Sequence, residues 1–394
     1  MTGIPPLSPS QASNIAKDVY KIRDFGISRA MQASTGLGLT GDDGSSFNRP
    51  DERLRGSSGI KYFKTEKGFG FISPGQGSRQ GQHVIALRGT VSKRDWLSNF
   101  NIGTGRSPSG HKVHAGFDDI FKGILPDLEA YFKGKAGTVH CVGHSLGGAL
   151  ASLSADYLME QGGFNVKLYT FGAPRVGLED YSINLTNKVK QENLFRVFHT
   201  SDPVPMIAPY PYIHAPHTSM DRLNWGIRCA KPGRIVPGDH SMSEYVSTVS
   251  NYASWGAISA TNMEEHTPWE VWLKDAAASK IKGIIQFGAN VFAMISRCLK
   301  GIIKKIISGV SSAFLAGMNF IDQLAWLMYR GALASVKIAR YLKALIQVIF
   351  KFLGRTYNEG SSITLSFVRW VFDLMYSSVH MMGTQAVQLA DHVF

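Results

Sequence analysis

Residues 137–153 read GTVHCVGHSLGGALASL, and this stretch decides the fold. Its first half has the apolar, β-branched texture of a buried strand, and its second half is built of small and aliphatic residues suited to a helix. Between the two stands Gly143-His144-Ser145-Leu146-Gly147, a G-x-S-x-G set. A chain that turns directly from strand into helix needs glycines where the backbones approach, and it lifts the central serine hydroxyl to the edge of the sheet. The pentapeptide alone arises often by chance; a strand before it and GGALA after it make it specific.

Working outward, HVIALRGT (83–90), VKLYTFGAP (166–174) and NLFRVFHTSD (193–202) read as further strands, with a helix over 114–133. Strands alternating with helices predict an α/β fold with a mostly parallel sheet, whose ligands bind at the carboxyl ends of the strands. Upstream, IKYFK (60–64) and FGFIS (69–73) suit a hairpin, and TGDDGSSFNRPDERLRGSSG (40–59) has loop composition. Weak helical periodicity covers 9–35, and beyond about Thr267 the texture becomes long, apolar and periodic. The expected organisation is an accessory N-terminal segment (1–58), an α/β core (59–255) and a helical region (256–394).

A serine nucleophile needs a base, and the base needs an orienting carboxylate; in α/β hydrolases they follow in the order Ser, Asp or Glu, His. Asp202 ends a predicted strand just before Pro-Val-Pro. His214, His217 and His240 are the candidate bases. His240 is favoured because GDHSMSEY (238–245) places it on a loop before a helix-like segment, whereas His214 and His217 sit in a proline-rich loop close to Asp202. The three cysteines, Cys141, Cys229 and Cys298, have no metal-site or disulfide-framework spacing, and the expected chemistry needs no metal and no organic cofactor.

The runs VIALRGTVSKRDWLSNF, KVHAGF, VHCVGHSLGGALASL, LYTFGAPRVG, RVFHTSDPVPMIAP and GDHSMSEY, in this order, resemble the class 3 lipases of the fungal Rhizomucor type. The resemblance covers about residues 60–250 and implies an α/β-hydrolase fold. It also implies a triad of Ser145, Asp202 and His240, and an oxyanion hole from Thr90 and the backbone N–H of Leu146. Donors placed in advance at an oxyanion are typically worth about 3–4 kcal/mol each. The segment Val91–Phe100 takes the place of the family's amphipathic lid, with Trp96, Leu97 and Phe100 on one side and Lys93, Arg94 and Asp95 on the other. The Asp202–His240 interval departs from the family in being short, and it carries the proline-rich run PYPYIHAPHTS (209–219). The implied activity is hydrolysis of glycerolipid esters, as a phospholipase A or a triacylglycerol lipase.

Lys and Arg number 42 against 29 Asp and Glu, a net charge of +13. Up to Glu270 there are 28 basic and 24 acidic residues (+4), and beyond it 14 and 5 (+9). The excess therefore lies on the helical third, opposite apolar faces such as Ile338, Leu342, Leu345 and Ile349. That distribution fits an anionic lipid surface, and the lack of helix-turn-helix, zinc or RNP signals argues against nucleic acid. The alternative is a membrane-disrupting protein in which these helices are the active part. The N-terminus shows no secretory-signal pattern, so membrane association, export by a non-Sec route or a cytoplasmic location is expected. A lipase core with appended helices also resembles bacterial effectors delivered by type VI secretion, which implies an immunity protein and a secretion-apparatus partner.

Overall fold

A computed structural model describes residues 4–21, 46–47, 52–58, 65–89, 103–217, 226–227, 235–258, 268–279, 284–307, 320–358 and 360–391. Strands β1 (Ser46–Phe47), β2 (Glu52–Ser58), β3 (Thr65–Gln76) and β4 (Gln82–Leu87) lead the chain. A small antiparallel pair, β5 (Thr104–Arg106) and β6 (Lys112–His114), precedes β7 (Gly137–His144), β8 (Phe164–Phe171), β9 (Leu194–His199) and β10 (Gly226–Ile227). Among the described residues the main sheet has eight strands in the order β1-β3-β4-β7-β8-β9-β10, with β2 pairing to β3. Strands β4, β7, β8, β9 and β10 are parallel, and β1, β2 and β4 run antiparallel to β3. The register sets Ile85 against Cys141 and Cys141 against Leu168.

The period-2 alternation of these strands separates two cores. Ile85, Leu87, Val139, Cys141, Val166 and Leu168 point to one face, while Val84, Ala86, Val142, Tyr169, Phe171 and Val197 point to the other. The second face is covered by α1 (Pro9–Asp18), and the first by α2 (Ala115–Phe132), α3 (Leu146–Gln161) and α4 (Glu179–Val189). Helix α5 (Met242–Val249) lies beside α1.

Two expectations change here. The N-terminal segment is not accessory: α1 starts with a Ser8–Gln11 capping box, the Leu7 N–H donates to Tyr169 Oη at 2.8 Å, and Trp255 Nε1 donates to the Leu7 carbonyl at 2.6 Å. The polar stretch expected as a loop contains β1 and β2. Its composition misled because β2 pairs with β3 alone, and edge strands carry charge that discourages further pairing. FGFIS lies within β3 and forms its hairpin with β4 across Gly77–Gly81, where both glycines have positive φ; IKYFK lies outside the described residues.

The C-terminal part consists of α6 (Trp269–Ala278), α7 (Ile284–Ile307), α8 (Phe320–Ala334), α9 (Val336–Phe352) and α10 (Leu365–Asp391). Their apolar faces meet one another and the first sheet-side core: Ile295, Leu299, Ile302, Leu342, Leu345, Ile346, Phe372 and Met375 form one contiguous cluster with Val139 and Leu150. Basic residues serve this packing. Lys300 pairs with Glu179 of α4 at 2.8 Å, Lys305 with Glu270 at 3.2 Å, and Arg369 with Asp322. Lys351 donates to the carbonyls of Ala276, Ala277 and Ser279, satisfying the otherwise open C-terminal end of α6. Helix α10 packs against both Val204–Met206 and the turn Pro237–His240.

A shared core predicts shared unfolding. Leu345→Ala, at a fully buried position, should cost about 2–5 kcal/mol and raise hydrogen–deuterium exchange in β7 and α3 as well as in α7–α10. Faster exchange confined to the helices would contradict the single core.

Candidate active site

The turn at Ser145 is fixed by two backbone hydrogen bonds and two close backbone approaches. Ser145 has φ 58° and ψ −131°, a sparsely populated conformation that costs about 1–3 kcal/mol. Its N–H donates to the Phe171 carbonyl at 2.9 Å, and its carbonyl accepts from the Gly148 N–H at 2.9 Å. A Cβ on Gly143 would lie 2.1 Å from the Gly147 carbonyl oxygen, and one on Gly147 would lie 2.1 Å from that of Leu87. The two glycines of the pentapeptide are therefore steric requirements of seating α3 against β7 and β4.

Strand ends bring the partners in. Ser145 Oγ lies 2.9 Å from His240 Nε2, and His240 Nδ1 lies 2.8 Å from Asp202 Oδ2. A carboxylate only accepts, so Nδ1 carries the ring proton and Nε2 is left to accept from the serine hydroxyl. Asp202 is held on both oxygens: the Val204 N–H donates to Oδ1 at 2.9 Å and the Tyr245 hydroxyl to Oδ2 at 2.7 Å. Tyr245 accepts from the His199 N–H at 3.0 Å and stacks on that ring with centroids 4.1 Å apart. Ser145, Asp202 and His240 are all buried. Tyr245 has no role in the sequence reading, although it lies in the same GDHSMSEY run and one helical turn into α5.

The other sequence candidates fall elsewhere. His214 Nε2 meets the Pro205 carbonyl at 2.9 Å, and His217 Nε2 lies 3.2 Å from Glu179 Oε1, so both tie down the loop after Asp202. Leu146 is the first residue of α3, where N–H groups have no intrahelical acceptor. Thr90 and the lid residues Val91, Trp96, Leu97 and Phe100 lie outside the described residues. Gly89, immediately before Thr90, passes beside the serine: a Cβ there would lie 3.4 Å from Ser145 Oγ. Among the described residues, no cluster of His, Cys, Asp and Glu is arranged to hold a metal ion. An apolar pocket lies between Ile207, Pro209 and Tyr212 of the loop after Asp202 and Phe320, Ile321 and Val379 of α8 and α10.

The family model described as Lipase (class 3) matches residues 84–211, the stretch carrying the elbow and Asp202. Over that stretch the chain is similar to the class 3 lipases. A secreted mono- and diacylglycerol lipase 1 of Fusarium solani is 36% identical over 144 residues, which are 34% of this chain and 42% of that protein. Phospholipase A1-II 4 of Oryza sativa subsp. japonica is 26% identical over 207 residues, 44% of this chain and 48% of that protein. The triacylglyceride lipase structure of Rhizomucor miehei is 23% identical with a TM-score of 0.38, covering 52% of this chain and 75% of that one. The chain spans about half the length of the curated relatives it matches.

Four histidines near the sheet are buried as neutral rings. Burial holds His144, His140 and His214 well below the ordinary value, with nearby positive groups adding to the effect, and lowers His114 to about 4. Their folded affinity for protons is depressed, so below the unfolded value of about 6.5 the unfolded chain binds protons that the native chain refuses. Stability from these rings is complete above that pH and falls by about 1.4 kcal/mol per pH unit per histidine as the pH drops. The melting temperature should therefore fall by several degrees from pH 7 to pH 5. A flat profile would contradict the buried neutral rings.

Proposed function

We propose that this protein is a serine-dependent carboxylic ester hydrolase acting on glycerolipids through an acyl-enzyme at Ser145. The observation that carries the reading is the hydrogen-bonded series from Ser145 Oγ through His240 to Asp202 on a strained strand-to-helix turn. The match of residues 84–211 to the class 3 lipase model supports the ester as substrate, as does similarity to relatives named for mono- and diacylglycerol lipase and phospholipase A1.

In the reaction, Ser145 Oγ attacks the ester carbonyl while His240 Nε2 takes its proton, and the Asp202 carboxylate stabilises the resulting imidazolium. The Leu146 N–H and Thr90 receive the oxyanion. His240 then protonates the leaving alcohol, water enters, and the same base activates it to release the fatty acid. No step draws on a metal or organic cofactor. The buried serine is reached when a cover opens, the part the family resemblance assigns to Val91–Phe100.

The same reading narrows the membrane contact. With the faces of α7 and α9 buried in the shared core, lipid is met at the corner between α8 and α9. There Leu333 and Val336 are 64% and 72% exposed, with Arg330, Lys337 and Arg340 exposed beside them. Apolar tips among cations suit an anionic interface, and no helix among the described residues is long and apolar enough to cross a membrane. Membrane disruption by the helices alone would require their buried faces to leave the core. Delivery as an effector, with an immunity partner, rests on architecture and is tested by toxicity on periplasmic targeting.

Incubation with vesicles of mixed phospholipid and triacylglycerol, followed by mass spectrometry, should show free fatty acid with lysophospholipid or diacylglycerol. Ser145→Ala should release at least about a thousandfold less with an unchanged melting temperature. Undiminished hydrolysis by that variant would end the proposal. On the same vesicles, Leu333→Asp with Val336→Asp should weaken binding without lowering turnover of a soluble ester; unchanged binding would remove the corner from the account.

A further inference from the structure

Tyr20 lies two residues beyond the end of α1, outside the segment matched to the lipase family, yet its hydroxyl reaches the centre of the site. It lies 2.6 Å from His144 Nδ1 and accepts from the Gly89 N–H at 3.0 Å. The other nitrogen of His144, Nε2, lies 2.8 Å from the backbone carbonyl oxygen of His240. The His144 ring also lies against the His240 ring, with centroids 4.7 Å apart.

The chemistry of these atoms fixes every proton. A carbonyl oxygen can only accept, so His144 Nε2 carries the hydrogen. The ring is neutral because burial opposes its protonation, so Nδ1 must accept and the Tyr20 hydroxyl must donate to it. A single directed chain results: Gly89 N–H to the Tyr20 oxygen, Tyr20 O–H to His144 Nδ1, and His144 Nε2–H to the His240 carbonyl. It spans three pieces of backbone that the proposed reaction needs in register. Gly89 leads into Thr90, His144 precedes Ser145, and the His240 carbonyl belongs to the base itself. Van der Waals packing alone would leave each of these free to shift by tenths of an ångström, which matters where reacting groups must meet within about half an ångström.

We propose that Tyr20 is a positioning residue for the hydrolase, which locks the oxyanion strand, the serine turn and the base loop together through the neutral Nε2–H form of His144. The proposal rests on the hydrolase reading above. It makes the N-terminal segment part of the catalytic unit, since α1 is fixed to the sheet through Leu7 and delivers the hydroxyl from the opposite face to the helical region. Tyr20 acts on geometry that the transition state uses and free substrate does not, so its loss falls on kcat and not on KM.

The test is Tyr20→Phe in the full chain, assayed on a soluble short-chain p-nitrophenyl ester and normalised by titrating reactive serine. The ring and its packing remain, and only the hydroxyl is lost. Expected are an approximately tenfold lower kcat, KM within about twofold and a melting temperature lower by only a few degrees. His144→Leu should lower kcat comparably, and adding Tyr20→Phe to it should cost much less than in the wild type, because a residue acting through His144 has lost its means. Wild-type kcat in Tyr20→Phe would overturn the proposal, as would a loss explained wholly by fewer reactive sites or additive losses in the double variant. If the unaltered protein hydrolyses no ester, the hydrolase reading fails and this inference fails with it, an outcome distinct from a normal enzyme indifferent to Tyr20.

Discussion

Everything in the site depends on how closely α3 can approach the sheet. The turn from β7 into α3 is made without a loop, so its central residue takes positive φ and the flanking positions have no room for a Cβ. That strain is held by backbone hydrogen bonds to β8 and by burial on both sides of the sheet. Its consequence is that a hydroxyl on a sharp corner faces the ends of β4, β8 and β9. Asp202 follows β9, Gly89 follows β4, and His240 arrives on a turn capped by α5. The chemistry sits where the topology forces strand ends to converge.

The positive charge takes on two meanings. Part of it is structural: Lys300, Lys305, Lys351 and Arg369 join helices to each other or to α4. These residues look like a solvated basic stripe in sequence, because periodicity shows which residues share a helix face but not what that face meets. Arg330, Lys337 and Arg340 instead stand exposed beside Leu333 and Val336, so the proposed lipid contact contracts from whole helices to one corner. The helical region is correspondingly less an appended anchor than a support for the candidate site, since α10 packs on both Val204–Met206 and the turn carrying His240.

The parallel strands, the elbow and the residues Ser145, Asp202 and His240 were legible because strand–turn–helix chemistry is local and leaves short, dense signals. The structure brings those three within hydrogen-bond reach of one another. Strands β1 and β2 were not legible, since an edge strand with a single partner has the polar composition of a loop. Helix α8 has no counterpart among the apolar faces read from the sequence, and only Ser335 separates it from α9. Tyr20 and Tyr245 were missed for a different reason. Each acts through one hydroxyl delivered across the fold, at separations of 124 and 43 residues from its partner, and no periodicity or spacing encodes such a contact.

The central claim is that Ser145 is a nucleophile activated by His240, and the most direct measurement is covalent capture. An alkyl fluorophosphonate loses fluoride to an activated serine oxygen and leaves a stable phosphonyl ester. Peptide mass spectrometry after such treatment should locate one adduct per chain, on Ser145, and the adduct should disappear in His240→Ala. An unlabelled chain, or an adduct elsewhere with Ser145 intact, would contradict the account.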